Sequence, residues 1–153
     1  DALCDQAECF DWITLSHVIE HVHDPLAVLR ACHRLLKPGG GLWIETPNLD
    51  ALGHQNFGAA WRGLEPPRHL VLFSRDSLIR ALHETGFKDI GDTSFRSLYR
   101  DLAHKSQAIA VGRDPYHAPA PRVPPLQSLM ADWHGRQNPS LREFVSLTAR
   151  KPA

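Results

Sequence analysis

The sequence has little that would direct it to a membrane, to a polyanion or to an oxidising compartment. No apolar run approaches the roughly 20 residues that a membrane-spanning helix needs. Seventeen basic residues balance 17 acidic ones, so charge gives no basis for binding nucleic acid or an anionic bilayer. The three cysteines form no CxxC pair, which favours a reduced, cytoplasmic protein.

The first structured stretch reads as a strand followed by a helix. Residues 10–15 are bulky and β-branched with little charge, which suits a strand buried on both faces of a parallel sheet. Asp24 then predicts a helix N-cap and Pro25 a first helical position. Apolar residues recur from there at helical spacing as far as Leu36, and basic residues take the opposite face.

The helix is predicted to stop at residues 37–41, KPGGG. A cation near the last carbonyls, a proline that cannot continue the helix and flexible glycines all favour an end there. Residues 42–46 then predict a second strand. Strand, helix and strand within about 40 residues form a βαβ unit, which implies a parallel sheet with a right-handed crossover.

The segments FDWITLSHVIEHVHDP and LRACHRLLKPGGGLWIETPN resemble the second half of a class I S-adenosylmethionine-dependent methyltransferase, similar to the ubiquinone-pathway O-methyltransferase-like enzymes. The shared features are a strand opening with FD, an acid–His pair after it, a helix ending LLKPGG and a strand ending TPN. The resemblance implies an α/β, Rossmann-like fold with a mostly parallel sheet and an antiparallel last strand. It also implies S-adenosyl-L-methionine as cofactor and methyl transfer to oxygen or nitrogen of a small-molecule acceptor.

The main cofactor cradle of that family has no counterpart in the sequence. The family holds its cofactor with a glycine-rich turn after its first strand and with an acid after its second. No GxGxG occurs here, and the residues before Phe10 leave no room for two strands and two helices. We therefore expect residues 1–153 to be a single partial domain, the C-terminal part of the fold with its N-terminal strands absent, and inactive on its own.

The resemblance assigns four residues to the remaining cofactor wall. Asp1 and Ala2 correspond to an acid and a small residue near the adenine, although a frayed, solvated terminus is the alternative for them. Ser16 and His17 follow the strand that begins at Phe10, where the family contacts its cofactor.

Acceptor-side residues are expected beyond the carboxyl ends of the strands, where ligands of open parallel sheets lie. By resemblance, Glu20 and His21 face the acceptor pocket. An imidazole changes charge near neutral pH, so His21 is our first candidate for the catalytic base and His69 the second. Trp61 could form the floor of the pocket and Arg68 could hold an anion. Simple packing, solvation and helix capping are the alternatives for Trp61, Arg68 and His69 respectively.

His17, Glu20 and His21 also spell the HxxEH motif of zinc proteases. That motif requires a helix, on which residues four apart share one side, whereas here it directly follows a strand. Some ubiquinone-type relatives use ExxEH for a divalent ion, but His17 stands where the first acid would be. The sequence therefore predicts no metal ligands, and leaves open whether a divalent ion is used.

The rest of the chain divides by pattern around the βαβ core at 10–48. The expected segments are an acceptor-side loop (49–69), a helix after Ser74 ending at Thr85-Gly86, a weak strand (88–95), a variable cover (96–140) and a closing strand (141–151). Within the cover we expect helices at 98–111 and 126–134, the latter with Met130 and Trp133 on its buried face.

A non-catalytic role is the alternative to methyl transfer. A degenerate half-domain would leave a sheet edge open beside the strand at Phe10, and an open edge can pair with another chain. In that case the protein would be a binding or dimerisation module, with a homodimer formed through that edge.

Overall fold

The computed structural model describes residues 7–117 and 123–153; Asp1 and Ala2, assigned above to the cofactor wall, lie outside these ranges. The regular elements follow the order β1 (Phe10–Ser16), α1 (Pro25–Leu35), β2 (Leu36–Pro47), α2 (Leu52–Phe57), α3 (Arg75–Glu84), β3 (Lys88–Asp92), α4 (Tyr99–Ala110), α5 (Pro125–Gln137) and β4 (Phe144–Arg150). Short 3-10 turns lie at Ile19–His21, Gly58–Ala60, Arg62–Leu64 and Pro139–Leu141.

The four strands form one mixed sheet in the order β1-β2-β4-β3. β1 runs parallel to β2, with Leu15 opposite Ile44. β4 is antiparallel to both of its neighbours, β2 and β3. Among the described residues, three strands therefore share one direction and the last runs against them, which confirms the predicted α/β fold with a parallel βαβ unit.

The start of α1 follows the predicted chemistry. Oδ1 of Asp24 accepts the backbone N–H of Ala27 at 2.8 Å, and Pro25 occupies the first turn. Leu29 and Cys32 are the buried residues of the helix. Their burial gives α1 a single apolar side toward the sheet, as the helical spacing predicted.

The second strand begins earlier than the predicted position 42. The KPGGG segment is extended: Leu36 pairs with Phe10 in the sheet, and the N–H of Gly39 donates to the carbonyl of Lys151 at 3.1 Å. Gly41 leaves room for the ring of Trp12, which a Cβ at that position would meet at 2.0 Å. The glycines therefore serve close packing within β2 as well as the end of α1.

The main core lies on the face of the sheet that α1 and α3 cover. Its side chains come from β1, β2 and β4 and from both helices, and include Leu15, Leu29, Ile44, Leu78 and Leu147. Successive residues of a strand point to opposite faces, so Phe10 and Trp12 of β1 point away from this core. They remain 36% and 45% exposed, which leaves an apolar patch on the second face.

The segment after β3 differs from the prediction in one respect. Helices form near both expected positions, but Met130 and Trp133 are 55% and 58% exposed rather than buried. α5 turns its small residues inward instead: Ser128, Ala131 and Gly135 are buried. A Cβ on Gly135 would lie 2.9 Å from the ring of Phe95, so this close approach requires the small side of the helix.

Within the described ranges, none of these helices combines the length and apolar character needed to cross a bilayer.

Candidate functional site

A cavity of about 420 Å³ lies at the carboxyl ends of β1 and β2. Its walls come from the turn after β1, the end of β2, the 62–69 segment and α4. The lining residues are His17, Glu20, His21, Pro47, Arg62, Gly63, Glu65, Arg68, His69, Leu98, Asp101, Leu102, Lys105, Tyr116 and Phe144.

Glu20 is a fully buried carboxylate in the wall of this cavity. Its Oε2 accepts the hydroxyl of Thr46 at 3.0 Å, and its Oε1 lies 3.2 Å from Nδ1 of His17. Burial raises the pKa of Glu20, but the hydrogen bonds from His17 and Thr46 outweigh it and leave the pKa below its usual value. Glu20 is therefore a fixed negative charge tied to β2.

His17 connects Glu20 to a second buried carboxylate, Glu45. The backbone of His17 is left-handed (φ 51°), and its N–H donates to the carbonyl of Glu45 at 2.9 Å. The ring reaches both acids, because Nε2 lies 3.7 Å from Oε1 of Glu45. The hydrogen bond to Glu20 raises the pKa of His17 in spite of partial burial. Arg96 pairs with Glu45 from the other side.

His21 and His69, the two predicted bases, lie side by side with ring centroids 4.8 Å apart. Nδ1 of His21 is 2.9 Å from the carbonyl of Arg68, and Nδ1 of His69 is 2.8 Å from the carbonyl of Gly63. A carbonyl can only accept, so both Nδ1 atoms carry hydrogen in these contacts, and Nε2 is the nitrogen that holds the lone pair in the neutral form of each ring. Nε2 of His21 lies 4.0 Å from Oε1 of Glu20.

Arg68 lies at the rim of the cavity, where its side chain is 69% exposed. It pairs with Oε1 of Glu65 at 2.7 Å, while Arg62 pairs with Oε2 of the same residue at 2.7 Å. The hydrogen bond from Arg62 lowers the pKa of Glu65. Oε2 of Glu65 is also 3.6 Å from Nε2 of His69, so this carboxylate links the two arginines to the histidine pair.

Trp61 is not among the lining residues; it is 1% exposed and stands behind the cavity wall. A Cβ on Gly63, which does line the cavity, would fall 2.3 Å from the Trp61 ring. Ser16 is exposed at the end of β1 and also lies outside the lining. The structure thus brings His17, Glu20, His21, Arg68 and His69 to one cavity, and places Ser16 and Trp61 beside it.

Several residues of the site had no signal in the sequence pattern. Glu45 and Thr46, which contact His17 and Glu20 respectively, lie within an apolar strand, where period alone does not show such contacts. Lys105 and Tyr116 reach the same wall from the predicted cover segment. Their contribution depends on how α4 folds back over residues 62–69, which is a long-range contact.

A cavity at the carboxyl ends of parallel strands is the ligand site of an open α/β sheet. The chain belongs to the methyltransferase family: the sequence profile described as "Methyltransferase domain" matches residues 3–91. Within it, the fold and the sequence relatives define a class I S-adenosylmethionine-dependent methyltransferase domain, and S-adenosylmethionine is the cofactor of that class.

Similar proteins agree with this assignment. Over 48 residues the chain is 50% identical to a ubiquinone biosynthesis O-methyltransferase of Xanthomonas oryzae pv. oryzae. This match covers 31% of this chain and 20% of that protein. A SAM-dependent methyltransferase from Archaeoglobus fulgidus superposes with a TM-score of 0.58 at 21% identity, over 98% of this chain and 63% of the other. Phosphoethanolamine N-methyltransferase 2 of Haemonchus contortus, solved with S-adenosyl-L-methionine, gives 0.56 at 16% identity, over 99% and 36%. The matched region is thus about a fifth of the length of the curated relative.

Proposed function

We propose that this chain forms the acceptor-binding part of a methyltransferase that methylates an oxygen or nitrogen atom of a small molecule. The observation that carries the proposal is the pairing of His21 with Glu20 in the cavity. The carbonyl of Arg68 accepts Nδ1–H of His21, so in the neutral ring the lone pair lies on Nε2. Oε1 of the buried Glu20 lies 4.0 Å from Nε2 of His21.

This pair has the properties of a general base with an electrostatic partner. S-adenosylmethionine, when bound, supplies an electrophilic methyl group on a cationic sulfur. Nε2 of His21 accepts the proton of the acceptor hydroxyl or amine, and the negative charge of Glu20 stabilises the imidazolium that forms. His69, whose Nε2 also has a lone pair, is the second candidate for the same step. Arg68, at the rim, is positioned to contact an anionic group of the acceptor.

The described residues fit one side of the cofactor. Ser16 is exposed at the carboxyl end of β1, next to His17 at the cavity, which suits contact with the methyl-bearing end. Within residues 7–117 and 123–153, no glycine-rich turn follows the amino-terminal strand β1 to hold the nucleoside. We therefore infer that the chain alone binds S-adenosylmethionine weakly and turns over negligibly.

The sheet supports the proposal that residues 1–153 are the C-terminal part of a larger domain. Among the described residues β1 is an edge strand with one free side, and Phe10 and Trp12 leave an apolar patch on the sheet face opposite the core. Both features suit a further layer of strands and helices. In this division, 10–48 is the βαβ core, 49–69 the acceptor-side segment, 96–140 the cover and 141–151 the closing strand. A cytoplasmic location likewise stays a prediction.

Calorimetry with S-adenosylmethionine tests the first part of the proposal. We expect no binding in the micromolar range by the chain alone. Micromolar binding, or measurable methyl transfer by these residues on their own, would contradict the partial-domain proposal.

A chimera tests the catalytic part. The upstream region of the Xanthomonas oryzae relative, joined before Phe10, would supply the missing cofactor side. Transfer of labelled methyl groups to small hydroxyl and amine acceptors is then measured. We expect His21→Asn to lower the rate by about 10²–10⁴-fold, whereas the exposed His83→Asn on α3 leaves it unchanged. Equal rates for both variants would exclude His21 as the base.

The open edge of β1 favours one alternative, a non-catalytic binding or dimerisation module. A chimera that folds and binds S-adenosylmethionine but transfers no methyl group would support it. Sedimentation of the chain at high concentration provides a second check, since a stable monomer would count against a homodimer formed through this edge.

A further inference from the structure

A second cavity, of about 490 Å³, lies between α2, α4 and α5; we call it the α5 cavity. It shares no lining residue with the cavity of the candidate site. Successive residues of a helix are about 100° apart. Tyr99, which lines the α5 cavity, therefore points to a different side of α4 from Asp101 and Lys105, which line the first cavity. Helix α4 thus separates two distinct cavities.

The wall of the α5 cavity is mainly apolar and carries no formal charge from Asp, Glu, Lys or Arg among the described residues that line it. Leu126 and Met130 border its open side, where they are 68% and 55% exposed. Methionine is flexible and adapts its shape to different apolar partners. An ion that entered this cavity would lose hydration without gaining a counter-charge. The wall therefore favours an uncharged, apolar molecule.

The hydroxyl of Tyr99 is the buried polar group of the α5 cavity. Tyr99 is 3% exposed, and its oxygen accepts amide N–H groups from Asn56 and Gln127, each at 2.9 Å. Both donors line the same cavity, so the phenol oxygen lies at the cavity wall. Burial raises the pKa of Tyr99, although the hydrogen bonds from Asn56 and Gln127 act in the opposite direction. The hydroxyl therefore keeps its hydrogen at neutral pH.

That hydrogen has no acceptor within residues 7–117 and 123–153. A phenol can donate one hydrogen as well as accept, and both contacts of Tyr99 use it as an acceptor. A buried donor without an acceptor is unfavourable, and a ligand oxygen would relieve it. Small-molecule sites are typically apolar cavities of about 300–1,000 Å³ with a few placed polar groups. The α5 cavity has that size and that composition.

We propose that the α5 cavity binds a neutral, largely apolar small molecule whose carbonyl oxygen accepts the hydrogen bond of Tyr99. The apolar body of the ligand lies against Leu52 and Met130, and Asn56 and Gln127 hold the phenol in place. Because the two cavities have no lining residue in common, this site does not depend on the methyl transfer proposed above.

Binding is tested on the chain itself with Prodan, a neutral fluorescent dimethylaminonaphthyl ketone. Its emission moves to shorter wavelength in apolar surroundings and to longer wavelength when its carbonyl accepts a hydrogen bond. We expect saturable binding of one Prodan molecule per chain. Dimethylaminonaphthoate, which has the same rings but carries a carboxylate, should bind at least about tenfold more weakly.

Two neighbouring residues of α5 locate the bound probe. Met130→Gln should weaken Prodan binding by about three- to tenfold, because the residue lines the cavity. Leu129→Gln is the matched control, since Leu129 is 66% exposed on the same helix but is not a lining residue. Its affinity for Prodan should equal that of the wild type.

Tyr99→Phe tests the hydrogen bond. We expect the affinity to fall by about two- to tenfold and the emission of bound Prodan to move to shorter wavelength, because the carbonyl has lost its donor. A purely structural role of Tyr99 would not produce that wavelength shift. Circular dichroism checks that the variant folds. If it does not fold, Met130→Gln, Leu129→Gln and the naphthoate still test the site.

Three results would overturn the site. The first is absence of saturable Prodan binding by the folded wild type. The second is an equal loss of affinity in Met130→Gln and Leu129→Gln, which would indicate adsorption to the apolar surface of α5. The third is loss of Prodan binding as the chain dimerises at high concentration, which would assign this surface to a second copy. Unchanged emission of the bound probe in folded Tyr99→Phe would overturn the role of the hydroxyl.

Discussion

The indole N–H of Trp61 donates to Oε2 of Glu143 at 3.0 Å, across a separation of 82 residues. Oε1 of the same carboxyl group accepts the backbone N–H of Gly53 at 2.8 Å. One buried side chain thus ties the 52–64 segment, which backs the cavity wall, to the start of β4. Burial raises the pKa of Glu143 to about 7, although the bonds from Trp61 and Gly53 act in the opposite direction.

This carboxyl group should make stability depend on pH. Its pKa is about 7 in the folded chain against an ordinary value of 4.5, so between these values the folded state binds the proton more tightly than the unfolded state. Its contribution to the free energy of unfolding is complete below about pH 4.5 and is lost as the pH rises through 7, by roughly 3 kcal/mol in total. Urea unfolding of wild type and Glu143→Gln from pH 5 to 8.5 measures it. A difference between the two proteins that does not change with pH would contradict this assignment.

The hydroxyl of Thr46 is expected to contribute to stability through Glu20. Thr46→Val keeps the shape of the side chain but leaves Oε2 of a buried carboxylate without its donor, which should cost about 1–3 kcal/mol. Thr148→Val on β4 is the control, because Thr148 is only half-buried and its hydroxyl makes a long 3.4 Å contact with the carbonyl of Gly91. Equal losses in denaturant unfolding would mean that Glu20 does not depend on this bond.

The orientation of α5 can be checked with its tryptophan. Trp133→Gln should change the free energy of unfolding by no more than about 0.5 kcal/mol, since the side chain is exposed. Trp61→Phe should cost about 1–3 kcal/mol, because it leaves the carboxyl of Glu143 short of a donor. Acrylamide quenching of fluorescence should fall on removal of Trp133 and not on removal of Trp61. The reverse order would place α5 the other way round.

The end of α3 requires a glycine. Gly86 has φ 97°, and a Cβ there would lie 2.9 Å from the ring of His33, so Gly86→Ala should cost about 1 kcal/mol or more. Gly91→Ala in β3 is the matched control: its backbone is not left-handed and the nearest atom to its added Cβ is 3.9 Å away. In thermal unfolding, the midpoint temperature should be lower than that of the wild type only for Gly86→Ala. A similar midpoint for both variants would show that the left-handed cap is not needed.

Local chemistry accounts for the elements that the sequence predicted well. Asp24 and Pro25 start α1, Ser74 caps α3 by accepting the N–H of Ser77, and Gly86 ends that helix. Each of these contacts joins residues close in sequence, so the pattern of nearby side chains is sufficient. The parallel pairing of β1 with β2 follows from the same local pattern, because a single crossover helix separates them.

The remaining features depend on contacts between distant segments. The 49–69 region lacks an apolar period, and its helix α2 and 3-10 turns are organised by Trp61 and Glu143 rather than by local propensity. The large apolar side chains of α5 predicted that their face of the helix is buried. The space beside Phe95 admits only the opposite face, which carries small residues such as Gly135. The two predicted base candidates, His21 and His69, converge because the 62–69 segment folds back onto the turn after β1. Helical or strand periodicity carries no information about that contact.

The position of β4 affects how this sheet can be completed during synthesis. β4, the last strand in sequence, is hydrogen-bonded between β2 and β3. β2 and β3 are therefore not paired with each other, and among the described residues only β4 joins them into one sheet. Until residues 144–150 leave the ribosome, β3 therefore lacks the strand with which it pairs in the folded sheet. A polypeptide that stopped short of this segment would therefore divide the sheet in its middle instead of losing an outer strand.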